Sequence, residues 1–558
     1  TRFAARSGDS AQMVFAVDSG RIDRGSPRAG VEAAIAAAKE VPGVVSVGDP
    51  LAAGSGQVSS DGRIAYTDVQ FAEKASAIDA ASVDRLQADA RAAAEKGGVQ
   101  VEFGGPGIND SQPSTGISEI VGLLAAIIIL LVLLGTFVAM SLPVVIAVGS
   151  VLTGSLLITL AAGFWSFNEI TATLAVMIGL GVGIDYSLFI VTRFRQALHD
   201  GQTPVEAATT AAATAGRAVI FAGITVAISI SALALLGIDF ITKMGLGAAI
   251  TVAVAVVAAV TLLPAILGLL GHRVDKGRVP FVSHRDESEA TRERSLIARF
   301  GRGVTARPWL TGGVATVALV ILALPVFTVQ LGSSDAGSNP AGSTTRQAYD
   351  LLAEGFGPGF NGPLIVAVDQ TRDGGAAVRV ASAIEGTEGV ASVAEPAFNE
   401  ARDTAVVTVF PTTSPQSTET ASLVHHLRDD VIPGALSDGG ARAYVGGQTA
   451  AFEDIASILQ GRQLIFLAVV IGIIFVLITM AFRSVVVAAK AALTTALSAL
   501  AAFGVLVAVF QHGWGASLIG VDSTGPIESF LPVIVFAILF GLSTDYEVFI
   551  MSRIREEH

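Results

Sequence analysis

Two short stretches place an acid inside what otherwise reads as apolar helix. Gly179–Arg195 is GLGVGIDYSLFIVTRFR and Gly541–Arg555 is GLSTDYEVFIMSRIR, each carrying an Asp-Tyr pair: Asp185-Tyr186 and Asp545-Tyr546. Both acids come eight residues before the first Arg of a basic border, or about 12 Å along a helix. An ionised acid in mid-membrane costs about 2.5 kcal/mol or more, so an acid retained there points to a task. A carboxyl at such a depth can take up a proton from one side and release it to the other as access alternates. A tyrosine hydroxyl beside it can donate to the carboxylate and accept from the acid. One charge crossing 100 mV releases about 2.3 kcal/mol, which is a sufficient driving force. Asp185, Tyr186, Asp545 and Tyr546 are therefore the expected proton relay.

Around the pairs, small residues set up close helix contacts. Gly179 and Gly183 form GxxxG with Gly181 between them, and the second copy has Gly541 and Ser543. Thr225 and Ser229 could support the relay, although Ser and Thr commonly back-bond within membrane helices. Glu547 falls two residues past Asp545, on a different side of a helix. Asp239 and Lys243 are expected at a solvated loop, and His425-His426 on a solvated helix face. The chain has no GxxxxGK[ST] loop, no Ser-His-Asp pattern and no zinc spacing, so neither catalytic, cofactor-binding nor metal-binding residues are expected. It reads as a non-enzyme whose coupling ion is the proton.

Composition sets the class. Of 558 residues, 52% are hydrophobic, 60 are Gly and only 15% are charged, with a mean hydropathy of +0.64. Those values describe an integral membrane protein. Zero Cys rules out a disulfide scaffold and a Cys nucleophile, and a net charge of −13 has the wrong sign for nucleic acid. Arg outnumbers Lys 29 to 6, a bias consistent with a GC-rich, actinobacterial genome.

Nine apolar runs approach the roughly 20 residues needed to cross a bilayer: 118–140, 142–163, 169–193, 217–238, 243–271, 308–330, 463–482, 485–510 and 530–552. The expected organisation is a first polar module (1–116), a five-helix bundle (117–271) and a basic loop (272–307). A single membrane helix (308–330), a second polar module (331–461) and a three-helix, incomplete bundle (462–558) follow. Both modules spell strand, helix, strand, strand, helix, strand, the ferredoxin-like βαββαβ order. AQMVFAV, RAGVEAAIAAAKE, GVVSV, RIAYTDVQF, SVDRLQADARAAAEK and VQVEF in the first answer to LIVAVD, AAVRVASAIEG, GVASV, TAVVTVF, TETASLVHHLRDD and ARAYV in the second. FAVD (15–18) matches VAVD (366–369), and EFGGP (102–106) matches YVGGQ (444–448). The fold class is thus an α-helical polytopic membrane protein with two α+β porter domains in a two-fold pseudo-repeat.

Basic residues near span ends give orientation. The loop 272–307 carries nine Lys or Arg, whereas 331–460 has 16 Asp or Glu against 6 Arg. The loop is expected in the cytoplasm and both modules outside. The repeat also implies one further membrane helix ahead of residue 1 and two beyond residue 558, as in a twelve-helix protein.

GLGVGIDYSLFIVTRFR, GLSTDYEVFIMSRIREE (541–557), the border AFRS (481–484) and the Gly-Gly turns before membrane helices resemble the MMPL ("mycobacterial membrane protein large") group of the resistance-nodulation-division (RND) superfamily. The resemblance implies a proton-driven exporter of lipids or other hydrophobic molecules in the inner (plasma) membrane, coupled through Asp185, Tyr186, Asp545 and Tyr546. It implies membrane lipids and a lipidic substrate as partners, and no nucleic acid. Monomer and trimer are both compatible with it. Drug efflux in the same superfamily, and a sterol-sensing or protein-translocation relative, are the alternative readings.

Overall fold

The computed structural model describes residues 9–109, 116–165, 167–277, 296–436, 440–521 and 523–557. In chain order it begins with β1 (Ser10–Ala16), α1 (Gly25–Lys39), β2 (Val44–Val47), β3 (Ile64–Phe71), α2 (Ala80–Glu95), β4 (Gln100–Gly104) and the short α3 (Pro106–Asn109). Long helices follow: α4 (Gly116–Leu134), α5 (Phe137–Ala161), α6 (Glu169–His199), α7 (Pro204–Ser231), α8 (Asp239–Val257), α9 (Leu263–Leu270), α10 (Leu296–Ala306) and α11 (Pro308–Ala323). Next come β5 (Leu331–Gly332), α12 (Thr344–Phe356), β6 (Leu364–Asp369), α13 (Ala376–Glu385), β7 (Val390–Val393), β8 (Ala397–Phe398) and β9 (Thr404–Pro411). The chain continues through α14 (Thr418–His426), α15 (Ile432–Ala435), β10 (Arg442–Gly446), α16 (Gln448–Phe482), α17 (Val485–Leu506), β11 (Ile527–Glu528) and α18 (Leu531–Glu557). The chain forms two compact units, one built from 1–114, 329–457 and 508–529, the other from 115–328, 458–507 and 530–558.

In the first unit, each polar module is an antiparallel sheet with helices on one face. The strand orders are β2-β3-β1-β4 and β7-β9-β6-β10, the same arrangement twice, with β8 added beside β9. The correspondence extends to an irregularity: register slips between Val44 and Ser46 against β3, and between Val390 and Ser392 against β9. Period-two alternation turns Met13, Phe15, Ala65 and Phe103 towards α1 and α2 in the first core, and Leu364, Val366, Val407 and Val409 towards α13 and α14 in the second.

The first sheet is also covered on its reverse side, by a helix from the other module. Ala348 and Leu352 of α12 pack on Val14, Ala16 and Ile64. The Thr344 hydroxyl donates to Glu102 Oε2 (2.6 Å) and accepts from the Phe103 amide (2.8 Å). Arg91 holds the same carboxylate at 2.9 Å. Rings continue the contact: Tyr66 meets Phe356 and Phe360 edge-on at 5.1 and 5.0 Å, and Phe360 stacks on Phe410 at 5.1 Å. An amphipathic segment ahead of β6 thus closes the core of the preceding module.

The second unit is helical. Seven helices among the described residues are long and apolar enough to cross a membrane, and Ile120–Leu134 and Leu531–Ser543 are shorter apolar helices. The boundaries differ from those expected for local chemical reasons. The first run stops at Leu134 rather than 140, because Gly135 (φ +68°) leaves the helix and Thr136 caps α5, accepting the Ala139 amide. The span expected at 217 begins at Pro204, where Thr203 and Glu206 form a reciprocal capping box. The run after 243 contains a π-turn at 258–262 immediately before Pro264, whose ring nitrogen offers no amide donor. Lys243 is only 17% exposed and sits 2.5 Å from Asp239, so it is packed rather than solvated as expected, while Asp239 is exposed.

Helix contacts depend on missing side chains. A Cβ on Gly179 would come within 2.5 Å of Thr251, and one on Gly183 within 2.9 Å of the Ala147 backbone. One on Gly541 would come within 3.0 Å of Val226 Cα. Gly181 differs: a Cβ there would meet nothing within 4 Å, so the packing role expected for it is not where the close contacts fall.

Two outcomes follow from the first unit. Leu352→Ala removes the anchor of α12 and is expected to cost about 2–5 kcal/mol, read as a lower denaturation midpoint of the whole chain. Burial raises the Glu528 carboxyl above its ordinary value, with the Ser334 amide bond partly offsetting it. A carboxyl raised in the fold loses stabilisation as pH climbs past the ordinary carboxylate range. Glu528→Gln keeps the acceptor, so its Tm should exceed that of the parent at pH 7.5, and the gap should close on acidification towards pH 4.

Candidate functional site

Helix α6 is fixed at its start by Asn168, which accepts from both the amide (3.0 Å) and the hydroxyl (2.7 Å) of Thr171. It runs on to His199 between α5, α7 and α8, so Asp185 sits at mid-length on a helix held along its sides. Tyr186 and Ser187, next along the chain, are fully buried.

The decisive contact is between repeats. The hydroxyl of Tyr546 on α18 donates to Asp185 Oδ2 at 2.6 Å, within the usual range of an O–H···O bond. The ring of Tyr546 also lies 6.4 Å from that of Phe189, one turn along α6 from Asp185. The sequence suggests a tyrosine serving the neighbouring acid, whereas the structure brings the tyrosine of the second copy to the acid of the first. The side chains of Asp545 and Glu547 lie outside the described residues.

Nearby hydroxyls divide by role. Ser229 donates to the Ala537 carbonyl across the α7–α18 contact (2.7 Å), and with Gly541 on Val226 it fixes how closely α18 approaches. Ser543 and Thr495 meet at 3.3 Å between α18 and α17. Thr225 bonds back to the Phe221 carbonyl of its own helix (2.9 Å). The hydroxyls of Ser229, Ser543 and Thr495 thus make contacts between helices, whereas that of Thr225 stays within its own.

Two arginines do more than mark a border. Arg195, 10% exposed, pairs with Asp275 at 2.8 Å and donates to the Leu134 carbonyl at 2.8 Å. It therefore joins the end of α6 to the last carbonyl of α4 and to the turn after α9, where the Thr136 hydroxyl also bonds Val274. Arg462 of α16 donates to the Leu236 carbonyl (2.6 Å) at the end of the α7 span, against Gly237 in the left-handed region. The Arg of RFR was legible as a charge, but its partner 80 residues on was not. His425 and His426 contact Glu453 (3.1 Å) and Asp430 (2.9 Å) and are about half exposed. Among the described residues no group of three His, Cys, Asp or Glu could hold a metal.

Removing one partner of a buried ion pair costs about 3–5 kcal/mol. Arg195→Met is therefore expected to lower the thermal midpoint sharply, and the double variant Arg195→Met, Asp275→Leu to recover much of the loss.

Comparison with known proteins gives a family. The MMPL family model matches residues 1–311 and 364–558. Membrane protein YdfJ of Bacillus subtilis is 34% identical over 555 residues, 98% of this chain and 74% of that protein. The mycolic acid-containing lipids exporter MmpL11 of Mycolicibacterium smegmatis is 34% identical over 77% of this chain and 45% of its own length. The trehalose monomycolate exporter MmpL3 of the same organism is 27% identical over 79% of this chain and 46% of its own. The chain thus spans about three quarters of the first relative and under half of the other two.

Proposed function

This chain belongs to the MMPL family of membrane transporters, and on that premise we propose that it serves proton-motive-force-driven export of lipids or other hydrophobic molecules across the plasma membrane. The observation that carries the reading is the bond from Tyr546 to Asp185, an acid and a hydroxyl from opposite repeats meeting inside apolar helices. If the repeats rock against one another, that bond must break or re-form, which links proton access at Asp185 to helix movement. The exporters named MmpL11 and MmpL3 support a lipidic substrate. The two βαββαβ modules act as ferredoxin-like porter domains on the extracytoplasmic side, and the basic loop 272–307 faces the cytoplasm.

In this scheme Asp185 carries the proton and Tyr546 positions it. A hydrogen bond to a charged group is worth about 1.5–3 kcal/mol. In vesicles holding a fluorescent lipid and a pH gradient, Asp185→Asn should abolish gradient-dependent export while the protein remains folded. Tyr546→Phe should slow export by roughly ten-fold or more. Undiminished export by Asp185→Asn would overturn the coupling role.

A further inference from the structure

The two modules share a fold but not a surface. In the first, the junction after β4 is a tight turn: Cβ atoms added to Gly105 and Gly107 would come within 3.2 Å of the Ser10 and Ala11 backbone, and Ile108 is fully buried. In the second, the matching turn is equally tight, with Gly447 against the Pro363 carbonyl and the Thr449 hydroxyl on the Gly362 carbonyl. Beyond that turn, however, a cleft of about 270 Å³ opens between β5, the start of β6 and the first turns of α14 and α16.

The lining has a definite chemistry. Ile365 and Phe452 give it an apolar side. Its charged side chains among the described residues are two carboxylates, Asp335 and Glu453, and neither Lys nor Arg lines it. The donor of Gln416 is already committed to Asp335, at 2.5 Å. Burial lifts the Asp335 carboxyl above its ordinary value, with the Gly337 amide, the Tyr349 hydroxyl and Arg346 acting the other way. The cleft therefore offers acceptors and negative charge beside an apolar wall. Specificity of this kind acts as much by rejecting the wrong ligand as by holding the right one.

We propose that this cleft binds the headgroup of an amphiphile that offers hydrogen-bond donors and carries no negative charge, with its alkyl chain along Phe452 and Ile365. The inference rests on the transport reading above and names a headgroup class for it. Hydroxyl-rich and ammonium headgroups share this chemistry, and the test separates them.

The chain has no Cys, so Thr418→Cys at the rim accepts a single environment-sensitive fluorophore. The labelled protein in lipid nanodiscs is titrated with dodecyl glucoside, dodecylammonium and dodecyl sulfate, each below its micelle concentration. One or both donor headgroups should shift the emission, with dodecyl sulfate at least tenfold weaker, and Ala421→Trp should abolish the response by filling the cleft. Glu453→Gln should weaken dodecylammonium several-fold more than dodecyl glucoside; equal loss for both would assign the site to hydroxyl-rich headgroups. A response to neither donor, an equal response to the sulfate, or a shift that survives Ala421→Trp would overturn the proposal. The titration needs no turnover. Failure here with gradient-driven export intact would remove the site and leave the transport reading standing.

Discussion

A hydrogen bond between two apolar helices is the constraint around which this molecule is arranged. A carboxyl on an apolar helix is costly to leave without a partner. Here the partner of Asp185 is the hydroxyl of Tyr546, from the other repeat. That requirement reaches outward. α18 must lie close to α7, which accounts for Gly541 on Val226 and for Ser229 on the Ala537 carbonyl. α6 must hold its own position, which accounts for Gly179 and Gly183 against Thr251, Val151 and Ala147. Arg195, tied to Asp275 and Leu134, fixes the far end of that helix.

The first unit shows what internal repetition keeps and what it releases. Strand order, pairing and even the register slip recur in both modules, because each depends on backbone hydrogen bonds and on alternating apolar residues. Surfaces are free to diverge. One sheet is covered by α12 on its reverse side, and the second module carries an acidic cleft. Duplication supplies a scaffold twice, and asymmetry can then be given to ligand handling without disturbing the folding core.

Much of this was legible in the sequence. Long apolar runs and period-two strands are strong local signals, and the repeated Asp-Tyr pairs singled out Asp185 and Tyr546, which the structure brings within hydrogen-bond distance. What remained hidden was mostly pairing at long range. That Tyr546 rather than Tyr186 is the donor to Asp185 depends on how helices cross, which no local pattern records. The 80-residue reach from Arg195 to Asp275, and the docking of α12 on a module more than 200 residues away, are hidden for the same reason. Helix starts such as Thr203 were within reach, since the capping box is written as T-P-V-E, but the Ala- and Thr-rich turns after it are too weakly hydrophobic to register as a span. Gly181 shows the converse error: a small residue in a small-residue motif faces open space, because the close contacts fall on the face shared by Gly179 and Gly183.

Export on this scheme requires that Asp185 change protonation state as the protein works, with Tyr546 as its partner. Infrared difference spectroscopy on the protein in lipid, stepped across pH and then exposed to substrate, reads that change at the carboxyl C=O stretch. The expected result is a protonated-carboxyl band that responds to substrate, moves in frequency in Tyr546→Phe and is missing in Asp185→Asn. A substrate response identical in all three proteins would contradict it.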